Sequence, residues 1–356
     1  MENFILYSYP YARARAIESL LLKHDFYEKL ISSRDINEII SYLMETHYRE
    51  YLNTFGSKYS GIDLVEISVN SYITRISRII LNMTPRMSLD AVRAYIAKYD
   101  ISNIKVILSS KVLGKPIKES EMFLLSENDI PVGIVAGTLS NEDFKILMNE
   151  DIEGAIKYLL KFPYGRVLME SMESFKKSND IGELLISLDL FYYKNLKEKV
   201  RIFMGNELPV INLIENIIDS RNIMTILRAF SLGIPPNEIK NYLLDGGSLN
   251  QQKIEDLTRS SSIDEVVEKL REKFDLTHAL EAYKNENDLK EFEIQLDKYI
   301  IEKNIPSFRI SSPGLSSIIG LMLMFETERE NIRKIAYSKL YNLSNERIKS
   351  MLVKVI

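Results

Sequence analysis

The sequence contains no cysteine, which excludes disulfides, thiol nucleophiles and thiolate metal ligands. Its three histidines, His24, His47 and His278, lie too far apart to read as a ligand set. It has little excess of either charge. Lys and Arg number 46 against 50 Asp and Glu, a formal net charge of −4, which gives no electrostatic footprint for nucleic acid or anionic lipid. Long hydrophobic runs are missing too. The longest, "LSSIIGLMLMF" from Leu315 to Phe325, spans 11 residues, whereas a helix needs about 20 to cross a bilayer. The opening "MENFILYSYPYARARAIESLLL" has an acidic second residue and no long apolar centre, so it does not read as a signal peptide.

Catalytic spellings are equally scarce. There is no GxxxxGK[ST] phosphate loop, no G-x-S-x-G elbow and no H-E-x-x-H zinc motif. "GIVAG" (Gly133–Gly137) has no lysine after it, and the carboxylates of "NENDLKEFE" (Asn285–Glu293) fall on the spacing of a solvated helix face. No catalytic residue, cofactor or metal is expected.

What the sequence does contain is a sentence written three times. "YDISNIKVILSSKVLG" (Tyr99–Gly114), "IDSRNIMTILRAFSLG" (Ile218–Gly233) and "TERENIRKIAYSKLYN" (Thr327–Asn342) share letters at relative positions 0, 3, 4 and 7. These are Asp100, Asn103, Ile104 and Ile107; Asp219, Asn222, Ile223 and Ile226; Glu328, Asn331, Ile332 and Ile335. That spacing is one stripe of an α-helix. Eleven residues after each asparagine stands Gly114, Gly233 or Asn342, the residue types that tolerate the left-handed turn closing a helix. Pro85, Pro209 and Pro313 mark the starts, with Thr84 and Ser312 as caps before two of them, so helices are predicted over roughly 85–113, 209–232 and 313–341.

The match extends upstream. "VNSY" (Val69–Tyr72) corresponds to "LDLF" (Leu188–Phe191) and "LDKY" (Leu296–Tyr299). "DINEIISYL" from Asp35 corresponds to "DIEGAIKYL" from Asp151 and "SIDEVVEKL" from Ser262. Leu22, Tyr27 and Leu30 correspond to Leu249, Ile254 and Leu257, and "GTLSNEDFKIL" at Gly137 to "GSLNQQKIEDL" at Gly247. From the second of these blocks to the asparagine is 68, 71 and 69 residues. Order and spacing together mark a triplication, with helical units near 20–114, 137–233 and 247–342 and a closing helix in "SNERIKSMLVKVI". The expected fold is all-α. Only "IPVGIV" tempts a strand reading, and it is too isolated to build a sheet. Three like units in one chain can close into a pseudo-threefold ring, although sequence alone does not force closure.

Buried polar residues on an apolar stripe are stable only when hydrogen-bonded, so the repeated Asp/Asn pair is expected to fix helix register or tie down a neighbouring loop. Asp and Asn at i, i+3 supply too few ligands for a metal. The segment "PGLSSIIGLMLMFETERENIRK" is apolar on all sides of its first turns, so it is either enclosed or meets another molecule. Arg13 and Arg15 of "YARARA" form a small-and-basic face that can pack against a partner or simply be solvated.

Four stretches carry a family resemblance: "YSYPYARARAIESLLL", "YDISNIKVILSSKVLGKPI", "ELPVINLIENIIDSRNIMTILRAFSLGIPPNEI" and "ENIRKIAYSKLYNLSNERIKSML". In order, over essentially the whole chain, they resemble the C-subunit family of archaeal-type (A-type) ATP synthases, to which the d-type component of vacuolar ATPases also belongs. Tyr341–Asn342 replaces the family's usual glycine, and Ser109–Ser110 stands where an arginine is more common.

The resemblance implies a funnel of three similar helical domains, here 1–118, 119–240 and 241–356. It implies a non-catalytic central-stalk component on the cytoplasmic side of the cell membrane, peripheral to it. Its implied partners are the proteolipid (c/K) ring and the D- and F-type shaft subunits, with the shaft tip in its cavity. The job implied is torque coupling during ATP synthesis or ion transport. The rival reading is a cytosolic all-helical adaptor, which explains the repeats and missing motifs but not the full-length pattern. A hidden enzyme would need a bound cofactor or a strongly perturbed acid in a cleft.

Overall fold

In the computed structural model, residues 2–114, 126–127, 130–131, 136–201 and 207–353 are described. The fold is all-α. Among the described residues the only β pairing is a two-residue antiparallel contact of Ser126–Glu127 with Ile130–Pro131. The rest of the "IPVGIV" run lies outside the described residues.

The helices run in chain order as α1 (Glu2–Glu18), α2 (His24–Ser32), α3 (Ile36–Leu43), α4 (Arg49–Phe55), α5 (Gly61–Met83) and α6 (Leu89–Leu113). Then come α7 (Asn141–Asn149), α8 (Ile152–Leu159), α9 (Pro163–Ser178), α10 (Gly182–Arg201) and α11 (Leu208–Leu232). The short α12 (Pro236–Ile239) precedes α13 (Gln251–Thr258), α14 (Ile263–Leu270), α15 (Thr277–Glu286), α16 (Lys290–Arg309), α17 (Leu315–Leu340) and α18 (Asn345–Met351). The order repeats: two helices of eight or nine residues, a third, a longer one, and then the longest, α6, α11 or α17, with 25, 25 and 26 residues.

Equivalent residues start and stop equivalent helices. The side chains of Asp35, Asp151 and Ser262 cap α3, α8 and α14 by accepting first-turn backbone N–H groups. Gly114, Gly233 and Asn342 stand at φ of 60°, 67° and 54° behind the three longest helices. Beyond two of these stops, Ile234 N–H reaches Ala229 O and Leu343 N–H reaches Ser338 O, both at 2.9 Å, the six-to-one bond of a Schellman cap.

Two starts differ from the sequence expectation. Pro85 and Pro313 precede their helices, because α6 opens at Leu89 after a 3-10 turn at Arg86–Ser88 and α17 opens at Leu315. Thr84 does not cap α6. Its hydroxyl donates to Ile80 O at 2.6 Å at the end of α5, and its backbone is extended at ψ 128°, as a residue before proline prefers.

The chain divides into two compact units, Met1–Phe203 with Pro313–Ile356, and Met204–Ser312. In the second, α11 packs along α16. Ile223, Leu227, Leu257, Val266, Leu270, Phe274, Phe292 and Leu296 share one core there. In the first, α6 packs along α10 and α17 packs along α5. Leu315 to Phe325 of α17 are all buried, so the run that is apolar on every side is enclosed. Tyr72 stacks edge-on against Tyr48 and Phe325 there, with centroids 5.0 and 5.7 Å apart. Each longest helix therefore pairs with the fourth helix of the copy that follows, and the last pairs with the first.

Candidate functional site

The repeated acids are among the most deeply buried charges in the molecule, and each holds the backbone of a loop. Asp100 on α6 is fully buried and accepts four hydrogen bonds. They come from Thr138 N and Oγ1, both 2.7 Å, Leu139 N at 3.2 Å and Tyr164 Oη at 2.8 Å. Burial pushes the Asp100 carboxyl up, and the donors of Thr138, Tyr164 and Leu139 offset part of that rise. Asp219 on α11, also fully buried, accepts from Ser248 Oγ at 2.6 Å, Leu249 N at 3.1 Å and Lys273 Nζ at 2.6 Å. Glu328 on α17, again fully buried, accepts from Leu22 N at 2.5 Å and Tyr48 Oη at 2.9 Å, with His47 Nε2 3.4 Å away.

Leu139, Leu249 and Leu22 are equivalent in the repeat, so three equivalent amides meet three equivalent acids. Two residues before each leucine the copies part company. A Cβ on Gly137 would lie 2.1 Å from Asp100 Oδ1, and one on Gly247 would lie 2.1 Å from Asp219 Oδ1. No side chain fits there beside a short acid. The clamp closed by Glu328 has Leu20 at this place, and its acid is one methylene longer. A longer acid reaches a backbone that a side chain holds further off.

The asparagines serve a second segment. Asn222 donates Nδ2–H to Leu244 O at 2.9 Å and accepts Leu244 N–H at 2.8 Å. Asn331 does the same with Val353, at 2.7 and 3.1 Å. In both copies the partner lies 22 residues downstream. Asn103 is buried as well.

Arg13 and Arg15 fall on α1. Arg13 is exposed and donates to Tyr9 Oη at 2.8 Å. Arg15 is half-buried, ion-paired with Glu18 at 2.6 Å, with its guanidinium 5.0 Å from the Tyr11 ring centre.

Sequence reasoning missed a charged stripe on α17. Glu326 binds Lys98 Nζ at 2.6 Å and Tyr95 Oη at 2.9 Å, and also the Tyr99 hydroxyl. Arg329 Nε donates to Asn70 Oδ1 at 2.6 Å, and Arg333 Nε donates to Glu66 Oε2 at 2.8 Å. The flanking Arg329 and Arg333 hold the Glu330 carboxyl below its usual range against the opposing effect of burial. The signal was available: 326, 329, 330 and 333 form a second stripe at helical spacing beside the Glu328/Asn331 one.

Among the described residues no cluster of three His, Asp or Glu could hold a metal ion. None of the described helices is long and apolar enough to cross a membrane. The arrangement ties each of three long helices to a loop through a buried acid.

Residues 10–351 match the family described as ATP synthase (C/AC39) subunit. The chain belongs to this family. Among its relatives, the A-type ATP synthase C subunit of Thermoplasma volcanium is 35% identical over 344 residues, covering 96% of this chain and 97% of the relative. The protein of the same description from Thermoplasma acidophilum is 32% identical with the same coverage. That from Methanocaldococcus jannaschii is 26% identical over 98% of this chain and 86% of its own length. Membership makes the chain an ATP synthase subunit, and the C/AC39 pattern runs through all three copies of the repeat.

Proposed function

We propose that this chain is the non-catalytic central-stalk subunit of an A-type rotary ATP synthase, passing torque between the rotating shaft and the membrane proteolipid ring. The observation that carries this reading is the continuous family match from residue 10 to 351, which leaves no part of the repeat architecture outside it. Three domains, 1–118, 119–240 and 241–356, would surround a pseudo-threefold funnel whose cavity takes the D- and F-type shaft subunits. Its rim would sit on the cytoplasmic face of the ring, peripheral to the membrane, and the rotation it transmits would serve ATP synthesis or ion transport.

The physical chemistry supports such a role. A coupler must be stiff, and helices of 25 and 26 residues, packed along their length and pinned by buried acids, supply stiffness. A threefold body on a ring of many subunits cannot match it one to one, so contact is spread over several modest patches, with shape and rim charge outweighing any single anchor. Arg13 and Arg15 are proposed to belong to one such patch.

Size-exclusion chromatography with purified ring and with purified shaft subunits tests the reading. Co-elution with both is expected. A folded, monomeric sample that binds neither would favour the adaptor.

A further inference from the structure

The residue just before each left-handed stop is large, apolar and exposed: Leu113 at 66%, Leu232 at 75% and Tyr341 at 69%. One exposed leucine on a surface needs no explanation. The same place left open in all three copies does. Among the described residues it is the only repeat position at which every copy exposes a large apolar side chain.

Helix closure does not call for these side chains. A left-handed cap needs glycine or asparagine at the stop and often an apolar contact from the residue after it. In the second copy that following residue, Ile234, packs on the core, as does Phe230 in the last turn. Leu232 between them stays in solvent. The lysines near two of these ends are engaged elsewhere. Lys111 Nζ donates to Met148 O at 2.8 Å and Lys339 Nζ to Asn345 Oδ1 at 2.9 Å, while α11 has no basic residue in its last turn. The partial negative charge that collects at a helix C-terminus is thus left for a partner to meet.

We propose that Leu113, Leu232 and Tyr341 are three equivalent docking tips, each entering an apolar depression edged by Lys or Arg on a partner built from many copies of one subunit. Repetition is the argument for that occupant. Three like tips are matched by a surface that offers one like socket many times, and each tip needs only the socket nearest to it. The inference rests on the coupling role proposed above and refines it. Of the partners proposed there, the proteolipid ring is the one made of repeated copies, so the tips are assigned to the ring and not to the shaft.

Lysine substitution separates docking from folding. A cation at a helix C-terminus is favourable, and a change at an exposed side chain costs little. Leu113→Lys, Leu232→Lys and Tyr341→Lys are therefore expected to unfold at the wild-type temperature or slightly above it. Binding of each variant to the purified proteolipid ring in detergent, measured by surface plasmon resonance, is expected to weaken about tenfold, the scale for losing one seated interface side chain. The triple variant is expected to lose co-elution with the ring. Binding to purified shaft subunits stays unchanged, and so does ring binding by Ile310→Lys, which alters an 87% exposed residue away from the tips. Wild-type protein that binds the ring, with all three variants binding as tightly, overturns this inference and leaves the coupling role standing. Loss confined to one tip, or loss of shaft binding instead, overturns it as well. Wild-type protein that fails to bind the ring removes the coupling role and this inference together.

Discussion

Glu328 Oε2 accepts the backbone N–H of Leu22 at 2.5 Å, across 306 residues of sequence. The same bond, in the same register, joins Asp100 to Leu139 over 39 residues and Asp219 to Leu249 over 30. One interaction thus recurs three times at very different sequence separations. The last instance brings the end of the chain to its beginning.

Asp219→Ala strips Lys273, Ser248 and Leu249 of a shared acceptor and leaves the half-buried Lys273 ammonium without its partner. A loss of about 3 kcal/mol is expected, at the low end for breaking a buried pair because Lys273 can turn toward solvent. Urea unfolding followed by circular dichroism measures it. Adding Lys273→Met should recover part of the loss, since the double variant has no stranded charge.

Gly137→Ala places a methyl where Asp100 Oδ1 now stands. The clamp must open or the loop must move, and a loss of about 2–4 kcal/mol is expected, well above an ordinary surface change. Leu20→Ala, at the equivalent but half-exposed position in the Glu328 clamp, should stay within about 0.5 kcal/mol. Equal effects at the two positions would contradict the exchange of short acid with glycine for long acid with leucine.

Gly233→Ala meets no neighbour within 4 Å, so its whole effect is the strain of φ 67°. About 1–2 kcal/mol of destabilisation is expected. Asn342→Gly, at φ 54°, should be neutral or slightly stabilising. Thermal unfolding of both variants decides.

Glu265 accepts from Ser261 N and Oγ, both at 2.7 Å, and pairs with Lys269 at 2.9 Å. The backbone N–H of Ser261, with Lys269 beside it, lowers its carboxyl to about 2. A depressed carboxyl contributes stability that is present above its unfolded value, about 4.3, and is lost as pH falls through the folded one. Carboxyl titration by NMR should give a midpoint near 2. A midpoint at the unfolded value would show that the Ser261 contact does not persist in solution.

How far the sequence reveals this fold depends on how local each cause is. The stops of α6, α11 and α17 are legible because only glycine or asparagine takes positive φ easily, and Gly114, Gly233 and Asn342 are spelled out. Their starts are less so: Pro85 and Pro313 look like first-turn prolines, yet the chain spends residues 84–88 turning from α5 into α6. Asp100, Asp219 and Glu328 stand out as charges on an apolar stripe, but their partners lie in other helices and loops. The shared "GTL" and "GSL" spellings are visible as letters. That glycine is required there by the close approach of a carboxylate is a tertiary fact.

The most direct measurement is ATP-driven ion pumping by the reconstituted enzyme, assembled with and without this protein, with ATP hydrolysis recorded in parallel. The coupling account predicts that hydrolysis continues without it while pumping is lost, and that adding it back restores pumping. Pumping that proceeds undiminished in its absence would contradict the account.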